Sequence, residues 1–215
     1  MTQLQLIFDR YQKRLEALEG TFTGWVKVAP SLLREEDFMF LDGLVSSLWQ
    51  HWCIFCRRIV FASANGCTTR SGGVILACVT PNTWERVSYI ASRAKNSASV
   101  QPALTNRDYK KEPTWGDVNK LQDVITALAP MNIATLISCF GSISRGPIHV
   151  QTIRNAISHR NHQTLRTVKD LRIYYNVKPI RHPVESVMWV DPTSGGFAFM
   201  SWVDEMRIIA DIVTK

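Results

Sequence analysis

The sequence predicts a mainly α fold: a helical bundle with a small β-hairpin near the C-terminus. Three observations carry that prediction. Apolar residues recur at three- and four-residue spacing along most of the 215 residues. Gly, Pro, Ser, Thr and Asn fall between the periodic segments, where caps and stops are needed. Only one late stretch, about 187–202, breaks the period, with two apolar runs on either side of Asp-Pro-Thr-Ser-Gly-Gly. With 46% hydrophobic and 20% charged residues the chain reads as ordinary globular protein. Its length suits a single domain, residues 1–215, with the hairpin as an addition.

The elements follow in order. Leu4, Ile7, Phe8, Tyr11, Leu15 and Leu18 predict an amphipathic helix over 3–19, broken by Gly20 and Gly24. A long helix is expected over 31–64, with Ser31 as N-cap and Glu35 and Glu36 in its first turns. Its apolar positions, from Phe38 and Leu41 to Ile59 and Val60, cover more than one face, so it should be central. Asn65-Gly66 stops it. Thr80-Pro81 opens a helix near 81–94, and the polar segment 95–113 reads as a loop. Thr114 caps a helix over 115–129, ended by Pro130, and Asn132 caps another that Gly141 stops. Gly146-Pro147 opens a helix over 147–160, and a further helix covers 163–175. After the hairpin, 202–214 returns to helix.

No apolar run reaches the roughly 18–20 residues of a membrane span. The first residues, MTQLQLIFDRYQKRLEALE, lack the basic then apolar pattern of a signal peptide. Five scattered cysteines imply no disulfide framework. The cytoplasm is therefore the expected location. Cys53-x-x-Cys56 has redox spacing but falls mid-helix among aromatics, so both read as packing residues. No phosphate-loop GK[ST], no GxSxG elbow and no paired His/Cys zinc spacing occurs, and no metal or cofactor is expected.

The net charge of +7 is concentrated. From Arg145 to Arg181 there are eight Arg and Lys and one acid, Asp170, which equals the excess of the whole chain. Such a stretch suits a polyanion. Within it lies Arg154-Asn155-Ala156-Ile157-Ser158-His159. Asn155 and His159, four apart, share a helix face, whereas Arg154 lies about 140° round from His159 on an ideal helix. They can converge if the arginine sits at a frayed or capped helix start, or if a second copy of the site lies opposite, and the long arginine side chain also helps. The residue types suit cleavage of an RNA phosphodiester. A neutral imidazole can take the proton of a ribose 2′-hydroxyl. A guanidinium can hold the non-bridging oxygens as charge builds on phosphorus. Asparagine can orient the imidazole or contact phosphate. The 2′-hydroxyl is the nucleophile, so DNA would be a poor substrate.

These six residues resemble the R-[polar]-x3-H form of the R-x4–6-H motif of the HEPN superfamily. "SSLWQHWCIFCRRIVFAS" (46–63) is similar to the long earlier helix of that family. The resemblance implies a helical bundle that dimerises to pair two motifs in one cleft. It implies a metal-independent endoribonuclease of toxin–antitoxin or phage-defence type, leaving a 2′,3′-cyclic phosphate. Carried onto this chain, Arg154, Asn155 and His159 are the expected catalytic residues. Arg145, Arg160, His162, Arg166 and Lys169 are the expected RNA contacts. The expected partners are RNA, a second copy of the chain and an antitoxin or other regulatory protein. The alternative is a non-catalytic RNA- or nucleotide-binding or scaffold module of the same fold. A third reading makes the motif a coincidence in an unrelated helical interaction protein.

Overall fold

A computed structural model describes residues 2–30, 32–141 and 145–215. The chain is mainly helical. In order it forms β1 (Thr2–Gln3), α1 (Leu4–Val28), α2 (Glu35–Asn65), β2 (Cys67–Thr68), β3 (Val74–Ile75), α3 (Trp84–Ala94), α4 (Val118–Leu128), α5 (Ile133–Gly141), α6 (Arg145–Ser158), α7 (His162–Asp170) and α8 (Ala198–Thr214). Short 3₁₀ turns cover Tyr109–Lys111, Leu171–Tyr174 and Pro183–Met188. Its contacts divide it into two compact units: residues 1–11, 52–144 and 208–215, and residues 12–51 and 145–207.

In the first unit, aromatic packing and a few deep hydrogen bonds make the core. Tyr11 stacks on Phe55 with centroids 4.4 Å apart, and Trp52 meets Phe140 edge-on at 5.9 Å. The Trp52 indole N–H donates to Gly116 O at 3.1 Å, so burying this ring leaves no donor unpaired. α4 packs on α3 and α5 through Leu121, Val124, Ile125 and Leu128. The long 95–113 connection holds its course through cations. Arg86 Nη1 donates to Gln101 O and Leu104 O, both at 2.8 Å. Glu112 accepts from Arg57 at 2.7 and 2.8 Å and from the Trp115 indole at 2.8 Å. Burial pushes the Glu112 carboxyl up, but the Arg57 and Trp115 bonds outweigh it and hold it below the usual range.

The β structure lies mid-chain. β2 pairs antiparallel with β3 (Cys67↔Ile75, Thr68↔Val74) and parallel with β1. Gly66, at φ +89°, ends α2 where an added Cβ would lie 3.1 Å from Ala77 N.

The hairpin expected at 187–202 does not form. Val190 makes single-residue bridges to Asn176 and Phe197, and the 3₁₀ turn Pro183–Met188 takes up the first half of the first run. The second run is the start of α8. Ala198, Phe199, Trp202, Val203 and Met206 are all buried at helical spacing, so its apolar character belongs to a buried helix. Short apolar runs do not distinguish those two cases. The turn itself is present: Asp191 Oδ1 accepts from Thr193 N at 2.7 Å and Ser194 N at 3.3 Å.

The helix ends also move. α1 runs through Gly20 and Gly24 to Val28, because Phe22 is buried against Phe197 and Phe199 in the second unit. That packing outweighs a cost of roughly 1 kcal/mol per helical glycine. α2 begins at Glu35, with Glu35, Glu36 and Asp37 in its first turn; the expected cap, Ser31, lies outside the described residues. α3 is capped by Thr83 and α4 by Asp117, each three residues after the position expected. Among the described residues no helix is long and apolar enough to cross a membrane. All five cysteines are free, and burial raises the Cys56 thiol well above its ordinary range.

Candidate functional site

α6 carries the motif in the second unit, and its inner face explains its position. Gly146, Pro147, His149, Val150, Ile153 and Ala156 are buried. Gly146 sits so close to α8 that an added Cβ would lie 2.9 Å from Trp202 O. Its N–H donates to Glu205 Oε2 at 2.6 Å. Behind this face is a polar chain. The Trp202 indole N–H donates to Tyr175 Oη at 2.7 Å, and the Tyr175 hydroxyl lies 2.6 Å from His149 Nδ1. The hydroxyl already accepts from Trp202, so we assign its hydrogen to His149, whose Nδ1 accepts. Burial, with Arg145 adding to it, lowers His149 from 6.5 to about 4.

With that face inward, Ile148, Thr152, Asn155 and His159 fall on the other. Ile148 and His159 are exposed, and Thr152 and Asn155 half-buried. Arg154 is half-buried at the flank, and its Nη1 donates to Asn155 Oδ1 at 3.3 Å. His159 follows the last residue of α6. Its N–H still donates to Asn155 O at 2.8 Å, and its carbonyl accepts from Thr164 Oγ1 at 2.6 Å. The backbone of His159 is thus tied on both sides while its imidazole stays open to solvent. Asn161 then caps α7 by accepting from Thr164 N at 3.0 Å.

The sequence therefore places Asn155 and His159 on one face, and the structure brings Arg154 onto Asn155. No hydrogen bond or ion pair joins Arg154 to His159 among the described residues. His162, Arg166 and Lys169 are exposed on α7, and Arg145 is exposed with its guanidinium 5.0 Å from the Tyr174 ring. Arg160 is committed elsewhere: its Nη2 donates to His182 Nε2. On the other side of the ring, His182 Nδ1 accepts from Val184 N–H at 3.3 Å, which caps the turn that follows. That Nδ1 lies 3.9 Å from Asp42 Oδ1, and the ring stacks on Phe38 at 4.9 Å. Burial lowers the His182 pKa, Asp42 opposes the shift and Arg160 adds to it.

His182 and Asp42 were not singled out by the sequence reading. The one local signal is His182-Pro183-x-Glu185. Pro at the first position and Glu at the third mark a capped turn, and Glu185 Oε2 does accept from His182 N at 2.7 Å. Among the described residues no three His, Cys, Asp or Glu side chains gather as a metal site would require.

No family model, curated protein or solved structure matches the chain.

Proposed function

We propose that the chain is a metal-independent endoribonuclease of the HEPN type, a cytoplasmic toxin or phage-defence effector. The observation that supports it best is the outward stripe of α6. His159 presents an open imidazole on a fixed backbone, one turn from Asn155, which in turn holds Arg154. This stripe lies in the segment that carries a charge equal to the chain's whole excess.

In the proposed reaction, His159 removes the proton of a ribose 2′-hydroxyl. The 2′-oxygen bonds to phosphorus, the bond from phosphorus to the 5′-oxygen breaks, and that oxygen leaves with a proton supplied by a histidinium. The products are a 2′,3′-cyclic phosphate and a 5′-hydroxyl. Arg154 stabilises the charge on the phosphorane, and Asn155 positions it. Because Arg154 and His159 point about 140° apart around an ideal helix, a two-fold dimer joining two stripes would let one chain's arginine meet the other's histidine. Arg145, Arg166, Lys169 and His162 would line the RNA backbone, with Arg160 beside them. An antitoxin or other regulatory protein would restrain the active dimer.

The test is cleavage of single-stranded RNA in EDTA by wild type and by His159→Ala. Cutting by the first and not by the second is expected. Equal residual signal in both, with RNA still bound, would move the assignment to a non-cleaving RNA- or nucleotide-binding or scaffold module of the same fold. One observation favours that second reading: within one chain, Arg154 is held by Asn155 and not by His159.

A further inference from the structure

We infer that the second unit holds a cavity that reads one unstacked RNA nucleotide beside the motif, an assignment that rests on the RNA reading above. The cavity measures about 570 Å³, within the range of small-ligand sites. Its walls include Trp25, Leu33, Met188, Trp189 and Phe197, and Lys178 and Arg181 lie on the segment that closes one side.

Three features act together. First, the aromatic wall is fixed in advance. Trp25 stacks on Phe40 at 5.9 Å, and its indole N–H donates to Asp37 Oδ1 at 3.2 Å. The Trp189 indole N–H donates to Lys178 O at 3.1 Å. Trp25 is the rigid ring an unstacked base can pack against, and Trp189, only 2% exposed, backs the wall. Second, the segment Lys178-Pro179-Ile180 has hydrogen-bonding capacity to spare. The backbone N–H groups of Lys178 and Ile180 have no protein partner among the described residues. A base edge can use them; an acyl chain cannot. Third, the charge is positive. The Glu185 carboxylate is occupied by the N–H groups of Arg181 and His182 and lies 3.9 Å from the Arg181 guanidinium. The Lys178 ammonium makes no ion pair among the described residues, which leaves it for a phosphate. A nucleotide uses wall, edge and cation together, whereas an acyl carboxylate would leave the edge unused.

The cavity is also joined to the motif. Arg160 directly follows His159 and donates to His182 Nε2. His182 caps the turn Pro183–Met188, which contributes Glu185 and Met188 to the cavity. One hydrogen bond therefore couples the end of α6 to the cavity wall.

The experiment is binding of four fluorescein-labelled 2′-O-methyl homohexamers, of A, C, G and U. Such RNA lacks the free 2′-hydroxyl and is not cut. Wild type is expected to prefer one hexamer over the weakest by about tenfold or more, the scale of one base edge read by hydrogen bonds. Met188→Trp, which fills the cavity, should reduce binding of the preferred hexamer to the level of the weakest, and Lys178→Ala with Arg181→Ala, which strips exposed cations, should weaken binding of all four hexamers several-fold. The cation variant decides if the filled variant fails to fold. Equal binding of all four by wild type, or an unchanged affinity in the cation variant, overturns the cavity's assignment and leaves the nuclease standing. Absence of any RNA binding, together with no cutting by wild type, overturns the nuclease and the cavity's assignment with it.

Discussion

Mild acid should loosen the protein through His149. Its Nδ1 accepts the Tyr175 hydroxyl inside the second unit, and burial holds it near 4 against 6.5 when unfolded. A proton added to the folded state would set an N–H against that O–H, close to Arg145. Above pH 6.5 the ring is neutral in both states, and its contribution is intact. Between 6.5 and 4 the unfolded chain binds the proton and the folded one does not, so stability falls as pH falls. The depression corresponds to about 3 kcal/mol in full, of which about 2 kcal/mol is gone at pH 5. His51 and His182, both lowered by burial, act in the same direction, so the informative quantity is a difference. Urea unfolding of wild type and His149→Asn, run from pH 7.5 to 5, isolates it. Asparagine places an acceptor near the Nδ1 position and does not titrate. The variant should show a flatter profile, by about 2 kcal/mol at pH 5. An identical slope in both proteins would refute the buried, neutral histidine.

Other outcomes follow from single contacts. Gly146→Ala puts a Cβ 2.9 Å from the α8 backbone at Trp202 O, and should cost about 1–3 kcal/mol in urea unfolding. Arg57→Ala strips the bidentate partner from Glu112, whose side chain is only 6% exposed, and should cost about 3 kcal/mol. Asn161→Ala removes the α7 cap and should cost about 1 kcal/mol. RNA affinity should fall with salt, and Arg166→Ala with Lys169→Ala should lower the log–log slope by about 1.4 if each meets one phosphate of a single strand.

Much of the fold was legible because helical period survives in a single chain. Leu4, Ile7, Tyr11, Leu15 and Leu18 are buried as their spacing predicts, and so are Leu41 through Val60 on the long helix. The misses have physical causes. Gly20 and Gly24 read as breaks because local propensity is visible in sequence, while the packing of Phe22 on Phe197 and Phe199 is not. The late hairpin failed because Phe197 to Trp202 is apolar for the sake of a buried helix. In the candidate site, the shared face of Asn155 and His159 followed from a spacing of four. The link from Arg160 to His182 spans 22 residues and depends on how the Pro183–Met188 turn packs against α6, which no local pattern encodes.

The most direct measurement is the chemistry of the cut ends. Purified protein and its His159→Ala variant would be incubated with single-stranded RNA in EDTA, and the fragments resolved by mass. The account predicts 2′,3′-cyclic phosphate and 5′-hydroxyl termini from wild type and intact RNA from the variant. Fragments bearing 3′-hydroxyl and 5′-phosphate ends, or equal cutting by both proteins, would contradict it.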